Sequence, residues 1–153
     1  MGKIDFELIR KLREDTGAPV IRVNKVLEEV QGDAKKAAKI LLAEGYESAE
    51  KKKERETSQG LVETYVHHSG KVASVVELLC ETDFVARNEL FRQLAHNLAL
   101  QVASMQAKDA KELLQQEFIK DPTKKVGDLV KEVIVKTGEN IRIGRIYRIE
   151  LGR

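Results

Sequence analysis

The sequence predicts an α+β protein with a small N-terminal bundle of three helices, a charged linker, and a core of three antiparallel strands covered by helices. Three observations carry that expectation. Apolar residues recur at helical spacing through residues 1–45. From Gly60 the period drops to two, in valine- and leucine-rich runs separated by Ser69-Gly70. Amphipathic helical stretches then lead to a last isoleucine-rich run at 141–151. The chain divides accordingly into a bundle at 1–45, a linker at 46–59 and a core at 60–153.

In the bundle, Ile4, Leu8, Ile9 and Leu12 mark one apolar stripe, which stops at Thr16-Gly17. Pro19 falls in the first turn of the second helix, where its missing N–H is tolerated, and Val20, Val23, Leu27 and Val30 follow at helical spacing. Gly32 supplies a left-handed stop and Asp33 an N-cap. Ala37, Ala38, Leu41 and Leu42 form the third face, which Gly45 is expected to end. Three helices of this length bury little area, so the bundle suits a docking piece better than an independent domain. Residues 46–59, with Lys51-Lys52-Lys53-Glu54-Arg55-Glu56, read as a linker or a solvated helix. The lysines could touch phosphate, but a solvated charged face is the commoner meaning of such a run.

In the core, Leu61–His67 and Lys71–Cys80 form a predicted hairpin. A long helix buries Leu90, Phe91, Leu94, Ala95, Leu98, Ala99, Val102 and Met105. Ala110–Ile119 reads as a shorter helix, and Pro122 ends whatever precedes it. Val126–Val135 is helical, with Leu129, Val130, Val133 and Ile134 inward and Gly138 as its stop. The last strand carries Ile141, Ile143, Ile146, Ile149 and Leu151, and its phase slips near Gly144, which predicts a bulge. A three-stranded sheet is barely stable alone, so the helices must cover one of its faces. No internal repeat is visible.

Composition narrows the function. Hydrophobic residues make up 42% of the 153 residues, enough for a core, and charged residues 34%, which suits a well-solvated surface. A net charge of +2 gives no strong basic field for holding nucleic acid, and no apolar run approaches a membrane span. Asp5 and Glu7 make the N-terminal segment unlike a secretory or transit peptide. The single cysteine, Cys80, cannot form an internal disulfide. Together these point to a cytoplasmic protein with no membrane or direct nucleic-acid partner.

Enzyme signatures are missing. The sequence has no glycine-rich phosphate loop with lysine, no zinc-protease helix motif and no paired cysteines at metal spacing, so no metal or cofactor is expected. His67 and His68, adjacent in a strand, would point to opposite faces rather than share a metal. His96 lies on a polar helix flank. Cys80 has no acid–base partner at a recognisable spacing, and a small buried strand-end residue is its simpler role.

The junction between the second strand and the long helix reads Cys80-Glu81-Thr82-Asp83-Phe84-Val85-Ala86-Arg87-Asn88. From the residues alone, Asp83 is an ordinary N-cap and Phe84 an ordinary core side chain. This segment, however, resembles the Thr-Asp-Phe-Val-Ala signature of the elongation factor Ts family. Two further stretches agree in order. Leu8–Ala18, with Lys25-Val26-Leu27 and Gly32-Asp33, is similar to the family's N-terminal three-helix domain of ubiquitin-associated type. Lys136-Thr137-Gly138-Glu139-Asn140-Ile141 is similar to the run before its last core strand.

The resemblance implies a guanine nucleotide exchange factor for elongation factor Tu, with no chemistry of its own. It places Thr82, Asp83, Phe84 and Val85 against the partner's magnesium site, and implies secondary contacts at Lys25, Thr137 and Gly138. The bundle would grip the partner's nucleotide-binding domain. This sequence departs from the family at Arg22 and Asn24, where an acid and a lysine are usual, and at Thr137, usually aliphatic. Longer relatives carry two core subdomains and an inserted helical hairpin; one core copy here implies a homodimer that rebuilds the missing half. The competing readings are an adaptor that binds elongation factor Tu without exchanging nucleotide, and a ribosome- or RNA-associated module. Aromatic residues at 5% and the lack of an RNA-binding motif weigh against the latter.

Overall fold

The computed structural model describes residues 5–153. Ile4, expected on the first stripe, lies outside the described residues. The bundle consists of α1 (Phe6–Thr16), α2 (Val20–Glu29) and α3 (Ala34–Lys51). Asp5 caps α1 by accepting from Glu7 N at 3.0 Å, and Asp33 caps α3 by accepting from Lys35 N and Lys36 N, both at 3.1 Å. Pro19 sits one position earlier than expected, as the N-cap of α2. Leu12, Val23, Val26, Leu27, Ala37 and Leu41 close a small core of their own. Val20 is not part of it; with Ile21 and Phe6 it faces solvent.

The third helix does not stop at Gly45. It runs six residues further, to Lys51, and takes over much of the expected linker. Gly45 is there for a close approach: a Cβ at this position would lie 3.0 Å and 3.1 Å from the two methyl carbons of Val135. Ala49, in the added turns, is buried in the main core. Helix-forming residues on either side sustain the helix through the single glycine, whose intrinsic cost is only about 1 kcal/mol. The remaining linker is tied down: Asn140 Nδ2 donates to Arg55 O at 2.8 Å, and Arg142 Nε to Thr57 Oγ1 at 2.7 Å.

The core sheet has the order β1 (Gln59–Val66), β2 (Val72–Cys80), β5 (Ile141–Glu150), antiparallel throughout. His67 and His68 fall in the hairpin turn rather than in the strand. Free of strand alternation, their rings lie 4.1 Å apart instead of on opposite faces. The expected bulge is present: Val76 pairs with Ile146 and Leu78 with Ile143, so Gly144 and Arg145 together oppose Glu77. That carboxylate accepts from Arg145 N at 3.1 Å and Arg145 Nη2 at 3.0 Å, which fixes the bulge.

One sheet face packs beneath α5 (Glu89–Ser104) and α7 (Val126–Thr137). Val76, Leu78, Ile141 and Ile143 meet Phe91, Leu94, Leu98, Val102, Val130 and Ile134 there. Leu90 and Met105, expected on the buried stripe, lie at the ends of α5 and are exposed. Among the described residues nothing covers the opposite face, where Val62, Val66, Val75, Tyr147 and Ile149 are open to solvent.

The region 110–125 differs most from expectation. The helix there, α6, covers only Ala110–Gln115, and two short strands follow, β3 (Glu117–Phe118) and β4 (Asp121–Lys125). The cause is Gln101, fully buried in α5. Its amide nitrogen donates to Gln116 Oε1 at 3.1 Å and Glu117 O at 3.0 Å, and its oxygen accepts from Ile119 N at 3.0 Å. These bonds hold the backbone extended where local periodicity favours helix. Pro122 sits in the resulting two-stranded ribbon, where a missing N–H is tolerated.

Candidate functional site: the corner after the second strand

Strand β2 ends at Cys80, paired with Ile141 at the start of β5. The chain leaves the sheet at Glu81 and turns at Thr82, whose extended backbone (φ −125°, ψ 158°) begins a single helical turn, α4 (Asp83–Ala86). Thr82, not Asp83, is the N-cap: its Oγ1 accepts from Val85 N at 3.4 Å. Successive side chains on a helix are about 100° apart, so the three residues after the cap diverge. Val85 points inward and is buried in the main core. Asp83 and Phe84 point outward, and Phe84 is 81% exposed. Leaving such a ring in water forgoes about 1.5–3 kcal/mol of burial.

The turn is held by its neighbour across the sheet end. Glu139 Oε1 accepts from Glu81 N at 3.1 Å and Thr82 N at 3.0 Å, and its Oε2 accepts from the Thr82 hydroxyl at 2.6 Å. In exchange, Glu81 Oε2 accepts from Asn140 N at 3.3 Å and lies 3.7 Å from the Arg55 guanidinium. Asp83 makes one exposed ion pair, to Arg87 at 3.4 Å. Such a surface pair is worth little and opens easily.

Thr137 and Gly138 lie beside this network. Thr137 Oγ1 donates to Val133 O at 2.7 Å. Gly138, in the left-handed region at φ 76°, ends α7 and swings Glu139 towards the corner. The structure therefore groups Thr82, Asp83, Phe84 and Val85 with Thr137 and Gly138, through Glu139. Lys25 is elsewhere, exposed on α2 in the bundle. Of the six grouped residues, Asp83 and Phe84 present side chains outward, while Val85 serves as the anchor beneath them rather than as an outward contact. Glu81 and Glu139 were missed as site residues; the signal was there, since the antiparallel register of Cys80 with Ile141, carried one and two residues further, sets Glu81 opposite Asn140 and Thr82 opposite Glu139.

Cys80 closes the floor of the corner. It is fully buried, its Sγ donates to Thr82 O at 3.1 Å, and burial, with the Glu139 carboxylate nearby, pushes its thiol up to about 11. A thiol held neutral in this way is a packing group, not a nucleophile. Among the described residues no group of three or more His, Cys, Asp and Glu is placed to hold a metal ion.

In the bundle, the atypical Arg22 is committed internally. Its guanidinium bonds Glu44 through both Nε, at 2.8 Å, and Nη2, and approaches Glu29 at 3.5 Å. That hydrogen-bonded pairing holds the Glu44 carboxyl below the usual carboxylate range and raises Arg22. On the same bundle, Ile21 on α2 is 83% and Phe6 on α1 80% exposed.

The family described as "Elongation factor TS" matches residues 81–153, from the corner to the end of the chain. The protein named Elongation factor Ts from Thermotoga maritima is 40% identical, over 98% of this chain and 97% of its own length. The chain belongs to the elongation factor Ts family. Another member, from Clostridium botulinum, is 41% identical over 98% of this chain but only 49% of its own length. The Thermotoga alignment spans 193 positions against the 153 residues here, so at least 40 positions are filled by that relative alone. Family members thus differ from this chain by internal additions as well as by length. No helix among the described residues is long and apolar enough to cross a membrane.

Proposed function

We propose that this chain promotes guanine nucleotide exchange on elongation factor Tu in the cytoplasm, by binding rather than by covalent chemistry and without a cofactor. The observation that carries the reading is the exposed Phe84 on a turn anchored from below by Val85 and from the side by Glu139. Its ring enters a pocket of the partner that opens as nucleotide leaves. Asp83, released from Arg87, offers a carboxylate to the groups around the bound magnesium ion and disturbs its hold on the phosphates. The exposed Phe6 and Ile21, with Lys25 on the same small bundle, dock on the nucleotide-binding domain.

Burying one phenylalanine ring is worth about 1.5–3 kcal/mol, and each ~1.4 kcal/mol is tenfold in an equilibrium constant. A contact made only with the nucleotide-free partner therefore weakens nucleotide binding by about ten- to a hundredfold. By linkage, nucleotide weakens binding of this chain by the same factor. The test is stopped-flow release of a fluorescent GDP from elongation factor Tu. Wild type accelerates release, and Phe84→Ala and Asp83→Ala each slow it by about tenfold or more. Wild-type rates in both variants reject the mechanism.

We further propose that the chain works as a homodimer, formed across the uncovered sheet face. Val62, Val66, Val75, Tyr147 and Ile149 lie together there, and a two-fold partner would cover them with the same face of its own.

A further inference from the structure

A four-residue helix cannot hold its own direction, because one turn is the costly nucleus of a helix and not a stable element. The direction of Asp83 and Phe84 must therefore be set from outside α4, and one side chain is placed to set it. We infer that Glu139 is the positioning residue of this corner: it fixes the outward presentation of Asp83 and Phe84 through Thr82, without touching the partner itself. Its consequence for nucleotide release rests on the exchange reading above; its structural half does not.

The geometry is specific. One oxygen of Glu139 takes two successive backbone N–H groups, of Glu81 and Thr82, at the point where the chain leaves the sheet. The other takes the Thr82 hydroxyl proton at 2.6 Å. That hydroxyl has a single proton, so committing it to Glu139 directs its lone pairs towards Val85 N, the bond that caps α4. Hydrogen bonds to a carboxylate are about twice as strong as neutral ones. The carboxylate is itself held on both sides. Gly138 reverses the chain just before it, and Asn140 just after it is fixed by Glu81 Oε2 and by the linker carbonyls of Lys53 and Arg55. Glu139 is half-buried, with its acceptor sites turned into its own chain rather than outward.

A positioning role and a direct charge contact predict different behaviour for the conservative variant. In Glu139→Gln the amide oxygen still accepts the two backbone N–H groups, and the amide nitrogen donates to the Thr82 hydroxyl, so geometry survives while charge is lost. In Glu139→Ala both are lost.

The experiment uses the full chain in wild-type, Glu139→Ala and Glu139→Gln forms, with two readouts. The first is amide hydrogen exchange at Glu81 and Thr82 by NMR. We expect exchange at least about tenfold faster in Glu139→Ala, within about threefold of wild type in Glu139→Gln, and unchanged at Val76 and Leu98 in both. The second is labelled GDP release from elongation factor Tu against increasing chain concentration. The maximal rate should fall about tenfold in Glu139→Ala while the half-saturating concentration stays within about twofold, since a misdirected wedge spoils the productive state and not the docking. Glu139→Gln should restore the rate. Wild-type protection in Glu139→Ala overturns the inference. So does a wild-type maximal rate despite lost protection, or a Glu139→Gln that matches Glu139→Ala in both readouts. If Glu139→Ala fails to fold, Glu139→Asp, which withdraws the carboxylate by one methylene, must show the same direction of change in both. If the wild-type chain leaves GDP release unchanged, the exchange reading falls, and amide protection alone still decides whether Glu139 holds the corner.

Discussion

Phe84 and Val85 are adjacent in the chain and opposite in fate, one exposed and one buried, because a helical turn separates neighbours by about 100°. Cys80 underlies the same turn and supplies a residue-scale prediction. Its folded thiol titrates at about 11 against an ordinary 9.0, chiefly through burial. With the folded value raised, its contribution to stability is intact below 9.0 and is lost as pH climbs through the folded value. Denaturant titrations from pH 8 to 11 should therefore show wild type losing stability relative to Cys80→Ala over that interval. Iodoacetamide at pH 8 should modify native Cys80 at least about tenfold more slowly than the unfolded chain, since the thiolate is the reactive form. Equal alkylation rates would refute the buried, neutral thiol. At this scale the sequence was only partly legible. The order Thr-Asp-Phe-Val marked the corner, but spacing alone favoured a capping Asp83 and a core Phe84. Which residue caps the turn was decided by Glu139, a residue 57 positions away from Thr82.

Elements were legible where their own periodicity ruled and illegible where a distant side chain overruled it. The hairpin, α5 and the bulge at Gly144 followed from local pattern. Helix α6 did not, because its end is dictated by Gln101 from another helix. Gln101→Leu keeps the volume but leaves Ile119 N and Glu117 O without their partners, and a buried unsatisfied polar group costs about 1–3 kcal/mol. Urea denaturation should show a loss of about 2–6 kcal/mol for the two groups together, and loss of β3–β4 amide protection at Ile119. No change in midpoint would mean the ribbon forms without the amide. Gly45 was misread for a related reason: what it permits is contact with α7, invisible from its own helix. Gly45→Ala should gain up to about 1 kcal/mol of helix propensity, yet its methyl meets both methyls of Val135 at 3.0 and 3.1 Å, so rotation of that valine removes one contact and leaves the other. The variant should lose about 1 kcal/mol net, and Val135→Ala in the same chain should recover it. Additive single and double changes would show that the two sites do not couple.

At the scale of the whole molecule, the sheet has one face under helices and one face bare. Across its strands the bare face forms rows, Val66–Ala73–Ile149 and Thr64–Val75–Tyr147, set by the register of both ladders. Charge enters in the next row, where Glu77 pairs with Arg145. An apolar patch bounded by an ion pair is the form an interaction surface takes, and the Phe84 corner lies at the far end of β2 from Ala73. Two copies joined through the bare face would bury these rows against each other, while each strand end remains free to present its own wedge. Sedimentation at tens of micromolar should thus give twice the mass of 17.3 kDa. Ile149→Asp should return the chain to a monomer, because an unpaired carboxylate buried in an interface costs several kcal/mol. The same variant should keep its secondary structure by circular dichroism, since Ile149 is 72% exposed within one chain, while its melting temperature falls by the stabilisation that association supplied. If the monomeric variant also releases GDP at the wild-type rate, dimerisation serves stability or solubility and each wedge acts alone. If release falls, the second copy holds the partner from the other side. A wild-type chain that sediments as a monomer removes the dimer altogether, and the bare face must then be covered by something other than a second copy.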